Sequence, residues 1–116
     1  MRILLADDET DAVHPIFRTL IKAGFQVDFV HDGLELLKLW ETLRHPLVIS
    51  DINMPGKDGV DACAEIRQRE PATKIILMSG SPESLERARL NNFKLRLSKP
   101  FDQETILSYI RQALGH

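Results

Sequence analysis

The chain has 116 residues, with 15 Lys and Arg against 17 Asp and Glu, which gives a formal net charge of −2 at pH 7. This length predicts one domain over residues 1–116, and the lack of a basic block argues against direct nucleic-acid binding and against an anionic membrane surface. No apolar run approaches the ~20 residues that span a bilayer, and the acidic start is unlike a signal peptide. The only cysteine, Cys63, excludes an intrachain disulfide and cysteine-pair zinc sites, so we expect a cytoplasmic protein.

Short apolar runs alternate with longer amphipathic segments along the whole chain. The predicted strands cover residues 3–6, 25–30, 47–50, 74–79 and 94–97. The segments between and after them carry apolar residues at helical spacing and predict five helices. This alternation requires crossover connections, and it therefore predicts an α/β fold with a parallel sheet.

The polarity of each strand predicts its place in the sheet. Strands one, three and four are continuously apolar, as expected for strands covered on both faces, whereas strands two and five alternate and suit the edges. The resulting order is 2-1-3-4-5, the flavodoxin-like doubly wound sheet. Ligands of such sheets bind beyond the carboxyl ends of the strands.

Two prolines refine the predicted helices. The first helix has an apolar stripe that starts at Val13, but Pro15 fits poorly inside a helix, so we expect a late start or a kink. Pro82 suits the first turn of a fourth helix over residues 83–91.

Polar residues follow four of the predicted strands. Asp7 and Asp8 follow strand one, Asp51 follows strand three, Ser79 ends strand four and Lys99 follows strand five. Taken singly, each has an ordinary explanation as a helix cap, a turn or a loop residue. Taken together, they fall on the same edge of one predicted sheet, which indicates a functional site.

The chemistry of this set is specific. Clustered carboxylates repel one another unless a cation is present, and an all-oxygen pocket suits Mg²⁺. A carboxylate can also attack phosphorus to form an aspartyl phosphate, and the transferring group then needs cations and donors around its oxygens.

At these residues the chain resembles the response-regulator receiver domain of two-component signalling, in its chemotaxis-regulator-like form. The resemblance covers the whole chain and implies Mg²⁺ as the cofactor. It also implies a role for each residue of the set: Asp51 as the phosphoacceptor, Asp7, Asp8, Asp51 and the backbone carbonyl of Asn53 as metal ligands, Ser79 as the switch hydroxyl, Lys99 as the phosphate-binding lysine, and Lys99–Pro100 as a cis bond.

The same resemblance implies partners. A sensor histidine kinase or a phosphotransfer protein would donate the phosphoryl group from a phosphohistidine, and a downstream protein target or an output domain would respond. At most, the domain would catalyse its own phosphorylation and dephosphorylation. No output domain follows residue 114, so we expect either a stand-alone regulator or a receiver from a larger protein.

Three departures from the family pattern fall in the region of helix four and strand five. Arg96 occupies the position of the usual switch aromatic, Asn92 and Phe93 replace a pair of small residues, and the stretch from Ser79 to Lys99 is short. We expect Arg96 to face solvent, with its head free to pair with an acid such as Glu83 or Glu86 or with an acid of a partner, and Phe93 to supply the missing apolar contact. These departures leave open an alternative, a degenerate receiver that docks to a partner without being phosphorylated.

Other protein classes with a similar fold or site fit this sequence less well. A haloacid-dehalogenase-type phosphatase needs a second Asp two residues after its nucleophile, where this chain has Asn53. A flavodoxin needs a phosphate loop after strand one, where this chain has an acidic run. Dinucleotide-binding and P-loop glycine motifs are missing.

The remaining candidate ligands lie away from the predicted strand ends. We interpret the four histidines, His14, His31, His45 and His116, as surface or loop residues. Cys63 and Trp40 lie on apolar helix stripes and are predicted to be core residues.

Overall fold

Five parallel strands form the centre of the structure, which the computed structural model describes for residues 1–9 and 14–115. They are β1 (Arg2–Ala6), β2 (Gln26–Val30), β3 (Leu47–Asp51), β4 (Lys74–Ser79) and β5 (Arg96–Ser98). Their order in the sheet is β2-β1-β3-β4-β5, which confirms the predicted flavodoxin-like arrangement. The edge strands are β2 and β5, as their alternating polarity predicted.

Five helices connect and cover the strands. They are α1 (Pro15–Lys22), α2 (Gly33–Leu43), α3 (Gly59–Arg69), α4 (Pro82–Leu90) and α5 (Gln103–Leu114). The first helix starts late at Pro15 and is not kinked around it, because a proline in the first turn gives up no hydrogen bond. Val13 and His116 lie outside the described residues.

The two faces of the sheet bury two separate apolar clusters. Leu4 and Ala6 of β1 point toward the side of α2, α3 and α4, whereas Ile3 and Leu5 point toward the side of α1 and α5. This alternation follows from the two-residue period of a strand. Since helices cover both faces, the central strands are apolar throughout and only their ends offer polar groups.

Buried residues include two of the four histidines. Cys63 and Trp40 are fully buried, which confirms their prediction as core residues. His14 and His45 were predicted to be surface or loop residues: both lie in loops, but a surface position is wrong, since both are almost completely buried. His45 is accommodated because its Nε2 atom lies 2.7 Å from a carboxylate oxygen of Asp28.

Strand β5 begins two residues later than predicted. The residues just after α4 form a turn that terminates this helix. The N–H of Asn92 donates to the carbonyl of Arg89, and the N–H of Phe93 donates to the carbonyl of Ala88. Asn92 has a positive φ of 66°, a conformation that asparagine tolerates better than most residues. Residues 94 and 95, which the alternating pattern had placed in the strand, follow this turn and precede β5.

Among the described residues, no helix is both long enough and apolar enough to cross a bilayer.

Helix α3 starts in direct contact with the end of β3. The N–H of Gly59 donates to the carbonyl of Ile52 at 2.8 Å. A Cβ atom on Gly59 would lie 2.1 Å from the backbone oxygen of Asp51, and a backbone atom cannot move aside as a flexible side chain can. Glycine at position 59 thus permits the close approach that places α3 beside Asp51.

We predict that Gly59→Ala lowers the free energy of unfolding by about 1–3 kcal/mol, because the added methyl group forces α3 away from β3. Chemical denaturation measures this loss. Gly80→Ala is the matched control, since its Cβ would lie 3.9 Å from the nearest atom, the Cβ of Lys99. Equal losses in the two variants would contradict the assignment.

Candidate functional site

The carboxyl ends of four strands bring the predicted site residues to one edge of the sheet. Asp7 directly follows β1, Asp51 is the last residue of β3, Ser79 is the last residue of β4, and Lys99 directly follows β5. These four strands are parallel neighbours, so their ends lie side by side. The structure thus brings together the residues that the sequence analysis singled out.

Three carboxylates form the centre of the site. Asp7, Asp8 and Asp51 each offer an oxygen, and these oxygens lie within 4.8 Å of one another. Asp7 and Asp51 are 1% and 6% exposed, whereas Asp8 is exposed. Hard oxygen donors with one open side are the environment that Mg²⁺ prefers, because this ion keeps several water ligands. The residues present therefore fit a divalent cation.

Lys99 supplies the positive charge of the site. Its Nζ atom donates to Oδ2 of Asp51 at 3.2 Å and to Oδ2 of Asp7 at 3.3 Å. Burial opposes the charge of the ammonium group, but the two carboxylates outweigh burial and raise the pKa of Lys99. The Lys99–Pro100 peptide bond is cis, as the resemblance implied.

The two buried carboxyl groups have opposite pKa shifts. Burial raises the pKa of Asp51 to about 6; the charges of Asp7 and Asp8 act in the same direction, and Lys99 opposes them. Burial acts on Asp7 as well, but the N–H of Glu9, the ammonium of Lys99 and the ring of His14 outweigh it and lower the pKa of Asp7. Of these two carboxylates, the ionised form of Asp51 is therefore the one that an additional cation would stabilise more.

Ser79 is bonded to Asn53 in this structure. Its hydroxyl donates to Oδ1 of Asn53 at 2.8 Å, and it accepts from the N–H of Ser81 at 3.0 Å. The side-chain amide of Asn53 in turn donates to the hydroxyl of Ser84 in α4 at 3.1 Å. The side chain of Asn53, for which only a backbone role was predicted, therefore links the site to α4.

His14 is a site residue that the sequence analysis missed. Its Nε2 atom lies 3.1 Å from Oδ2 of Asp7, and its ring is buried against Phe29. The ring also caps α1, because its Nδ1 accepts from the N–H of Ile16. One signal was available: a proline at the first helical position makes the preceding residue the N-cap, and the N-cap of the helix after β1 lies near the end of β1.

Comparison with known proteins agrees with this geometry. The sequence profile of the response regulator receiver domain matches residues 3–111. The chain belongs to this family. Receiver domains typically bind Mg²⁺ at an acidic pocket, and they interact with histidine kinases and with output or partner proteins.

Curated relatives are longer than this receiver domain. The transcriptional regulatory protein TctD of Salmonella typhimurium is 33% identical over 98% of this chain and 52% of its own length. The transcriptional regulatory protein PdtaR of Mycobacterium tuberculosis is 34% identical over 98% of this chain and 57% of its own length. The chain thus spans about half the length of these relatives.

Solved structures superpose over almost the whole receiver domain. The chemotaxis response regulator CheY4 of Vibrio cholerae has a TM-score of 0.84 at 28% identity, and 97% of each chain is covered. The signal receiver domain of an HD domain-containing protein from Pseudomonas fluorescens has a TM-score of 0.87 at 32% identity, with 99% of this chain and 94% of that chain covered.

Arg96 bonds to the backbone in this receiver domain, and pairing with an acid of a partner stays a prediction. Its guanidinium is half-buried and donates to the backbone carbonyl of Phe93 at 2.6 Å, and among the described residues it forms no ion pair with Glu83 or Glu86. Glu86 pairs with Arg89 instead, which lies one helical turn away. Phe93 is buried in the apolar cluster beneath α4, and its use in place of the missing switch aromatic stays a prediction.

We predict that Asp51→Asn stabilises the metal-free protein at pH 7.5 by about 1–3 kcal/mol. A folded-state pKa of about 6, above the ordinary 3.8, means that folding favours the protonated carboxyl group. The wild type therefore loses stability from this group as the pH rises from about 4 through 6. The asparagine variant avoids this loss, so its advantage should disappear near pH 4. Urea denaturation across this range, with a chelator present, measures the difference.

The matched control is Asp58→Asn, which should have the opposite sign. Asp58 caps α3 and accepts from Arg87 at 2.8 Å; burial opposes ionisation, but Arg87 outweighs it and lowers the pKa of Asp58. A lowered pKa stabilises the fold above about pH 4, so Asp58→Asn should lose stability at pH 7.5. Loss of stability in Asp51→Asn at pH 7.5 would contradict the conclusion that the ionised carboxylate of Asp51 destabilises the metal-free fold.

Proposed function

We propose that this receiver domain is a phosphorylation-controlled switch in which Asp51 accepts a phosphoryl group from a phosphohistidine. The supporting observation is the convergence of three carboxylates and one ammonium group, with the Nζ atom of Lys99 3.2 Å from the carboxylate of Asp51. A domain that only docks to a partner needs neither the buried like charges nor the shared lysine.

The transfer is a displacement at phosphorus. A carboxylate oxygen of Asp51 forms the new P–O bond while the P–N bond of the donor breaks, and the donor imidazole keeps the electron pair of that bond. A pKa of about 6 leaves most of Asp51 ionised at pH 7.5, and therefore nucleophilic, before any cation is added. Burial removes competing water from the acyl phosphate that forms.

Asp7, Asp8, Asp51 and the backbone carbonyl of Asn53 would hold the metal ion. When bound, Mg²⁺ neutralises charge on the phosphoryl oxygens. It also offsets the repulsion among the three carboxylates, so metal binding and folding should favour each other.

Lys99 and Ser79 would complete the phosphoryl site. Lys99 already donates to Asp51 and needs only to move toward the new oxygens. Ser79 must leave Oδ1 of Asn53 to donate to the phosphoryl group, which weakens the link from Asn53 to Ser84 in α4. Phosphorylation would thereby shift the population of α4 positions, and this is the signal that a partner reads.

The donor would be a sensor histidine kinase or a phosphotransfer protein in the cytoplasm, and the reader would be a protein target or an output domain. An open cleft of ≈ 460 Å³ lies beside Asp7 and Lys99, between the start of α1 and the loop after β5. Asp7 and Lys99 line this cleft, and a phosphodonor would approach the site from that side.

Treatment with acetyl phosphate and Mg²⁺ should raise the intact mass by one phosphoryl group. Asp51→Asn should remove this increase, because an amide is not a nucleophile toward phosphorus. Asp58→Asn is the control, since Asp58 binds Arg87 on the flank of the site. An unmodified wild type would overturn the proposal and favour the docking-only alternative.

Asp8→Ala should weaken Mg²⁺ binding by at least about 10-fold, because it removes one of a few carboxylate ligands. The same variant should gain stability without metal, since it removes one of three clustered negative charges. Isothermal titration calorimetry and metal-free thermal unfolding measure the two effects. Unchanged Mg²⁺ affinity would show that Asp8 is not a ligand.

A further inference from the structure

We infer that His14 is a positioning residue for Asp7: its Nε2–H group holds the carboxylate of Asp7 in the orientation that a divalent cation requires. This inference rests on the proposed metal site. The contact that carries it is the 3.1 Å distance between Nε2 of His14 and Oδ2 of Asp7, where both side chains are almost completely buried.

The hydrogen bonds of the ring determine where its proton lies. The N–H of Ile16 can only donate, and it lies 3.2 Å from Nδ1 of His14, so Nδ1 must carry a lone pair. The carboxylate of Asp7 can only accept, so Nε2 must carry the hydrogen. One neutral imidazole therefore performs two tasks: it caps α1 and donates to Asp7.

The ring itself cannot easily rotate. It contacts the ring of Phe29 edge to face, with a centroid distance of 5.2 Å, and it directly precedes Pro15 at the start of α1. The restrained backbone and the packed ring fix the direction of the Nε2–H bond. A donor fixed in this way restricts the carboxylate that accepts from it.

Asp7 has three donors, and only one of the two on Oδ2 is free to move away. Oδ1 accepts from the N–H of Glu9 at 3.1 Å, and Oδ2 accepts from both His14 and Lys99. Lys99 is shared with Asp51 and must follow the phosphoryl group in the proposed transfer. His14 remains, so Asp7 keeps a partner on Oδ2 after Lys99 moves. The histidine thereby frees Lys99 without leaving a buried oxygen unpaired.

Two substitutions separate the tasks of the ring. The side-chain oxygen of asparagine can replace Nδ1 and cap α1, but its amide is too short to replace Nε2. The amide nitrogen of glutamine can replace Nε2, but glutamine is a poor N-cap. His31→Asn is the control, because the ring of His31 also packs on Phe29 at 5.0 Å but contacts only the backbone oxygen of Asp7.

The test measures the Mg²⁺ dissociation constant by isothermal titration calorimetry, together with metal-free thermal unfolding. His14→Asn should bind Mg²⁺ about 10-fold more weakly than the wild type, the scale typical of lost outer-shell partners. His14→Gln should stay within about 3-fold, and His31→Asn should be unchanged. Stability should follow a different order, because the capping oxygen is kept in His14→Asn and lost in His14→Gln.

Several results would overturn the inference. If His14→Asn bound Mg²⁺ with wild-type affinity, His14 would have no role at the metal site. If His14→Asn and His14→Gln weakened Mg²⁺ binding equally, the effect would come from a disturbed fold and not from the lost Nε2–H group. Failure of the wild type to bind Mg²⁺ would instead overturn the proposed function on which the inference rests. Nitrogen NMR of the wild-type imidazole is independent of any variant: the Nε2–H tautomer is expected with and without Mg²⁺, and an Nδ1–H tautomer would contradict the assignment.

Discussion

Two buried carboxylates, Asp7 and Asp51, share the single ammonium group of Lys99, with Asp8 close enough to add a third negative charge. One positive charge cannot satisfy this set, and burial raises the energy of any charge left without a partner. The negative charge of Asp51 is the less well compensated of the two, and burial raises the pKa of Asp51 to about 6. In the proposed function the site takes up a cation and then a phosphoryl group, and each would change the balance that holds Lys99 and Ser79 in place.

The sheet makes this concentration of charge tolerable. Both faces of β3 are covered by helices, so the strand is rigid, and polar groups are available only where it ends at Asp51. The absence of a side chain at Gly59 lets α3 approach the backbone of Asp51 without a clash. On the other side, His14 ties the carboxylate of Asp7 to the start of α1. Packing and hydrogen bonding therefore hold the carboxylates close together despite their mutual repulsion.

The sequence was sufficient to predict the fold and the grouping of Asp7, Asp51, Ser79 and Lys99, because parallel strands place their carboxyl ends at one edge whatever the connecting loops do. It was not sufficient for contacts that depend on the path of the chain outside the strands. The position of His14 depends on where α1 begins, and the partner of Arg96 depends on the turn that closes α4 at Asn92. The bond from Ser79 to Asn53 reflects one choice of side-chain rotamer. In the proposed function these contacts control how the site is regulated, whereas the strand ends bring the site residues together.

The most direct test of this account is chemical localisation of the phosphoryl group. An acyl phosphate on aspartate is reduced by borohydride to homoserine, and the mass of the resulting peptide identifies the modified position. After incubation with acetyl phosphate and Mg²⁺, we expect homoserine at position 51 and nowhere else. Homoserine at another aspartate, or unmodified aspartate at position 51 in protein that carries the added mass, would contradict the account.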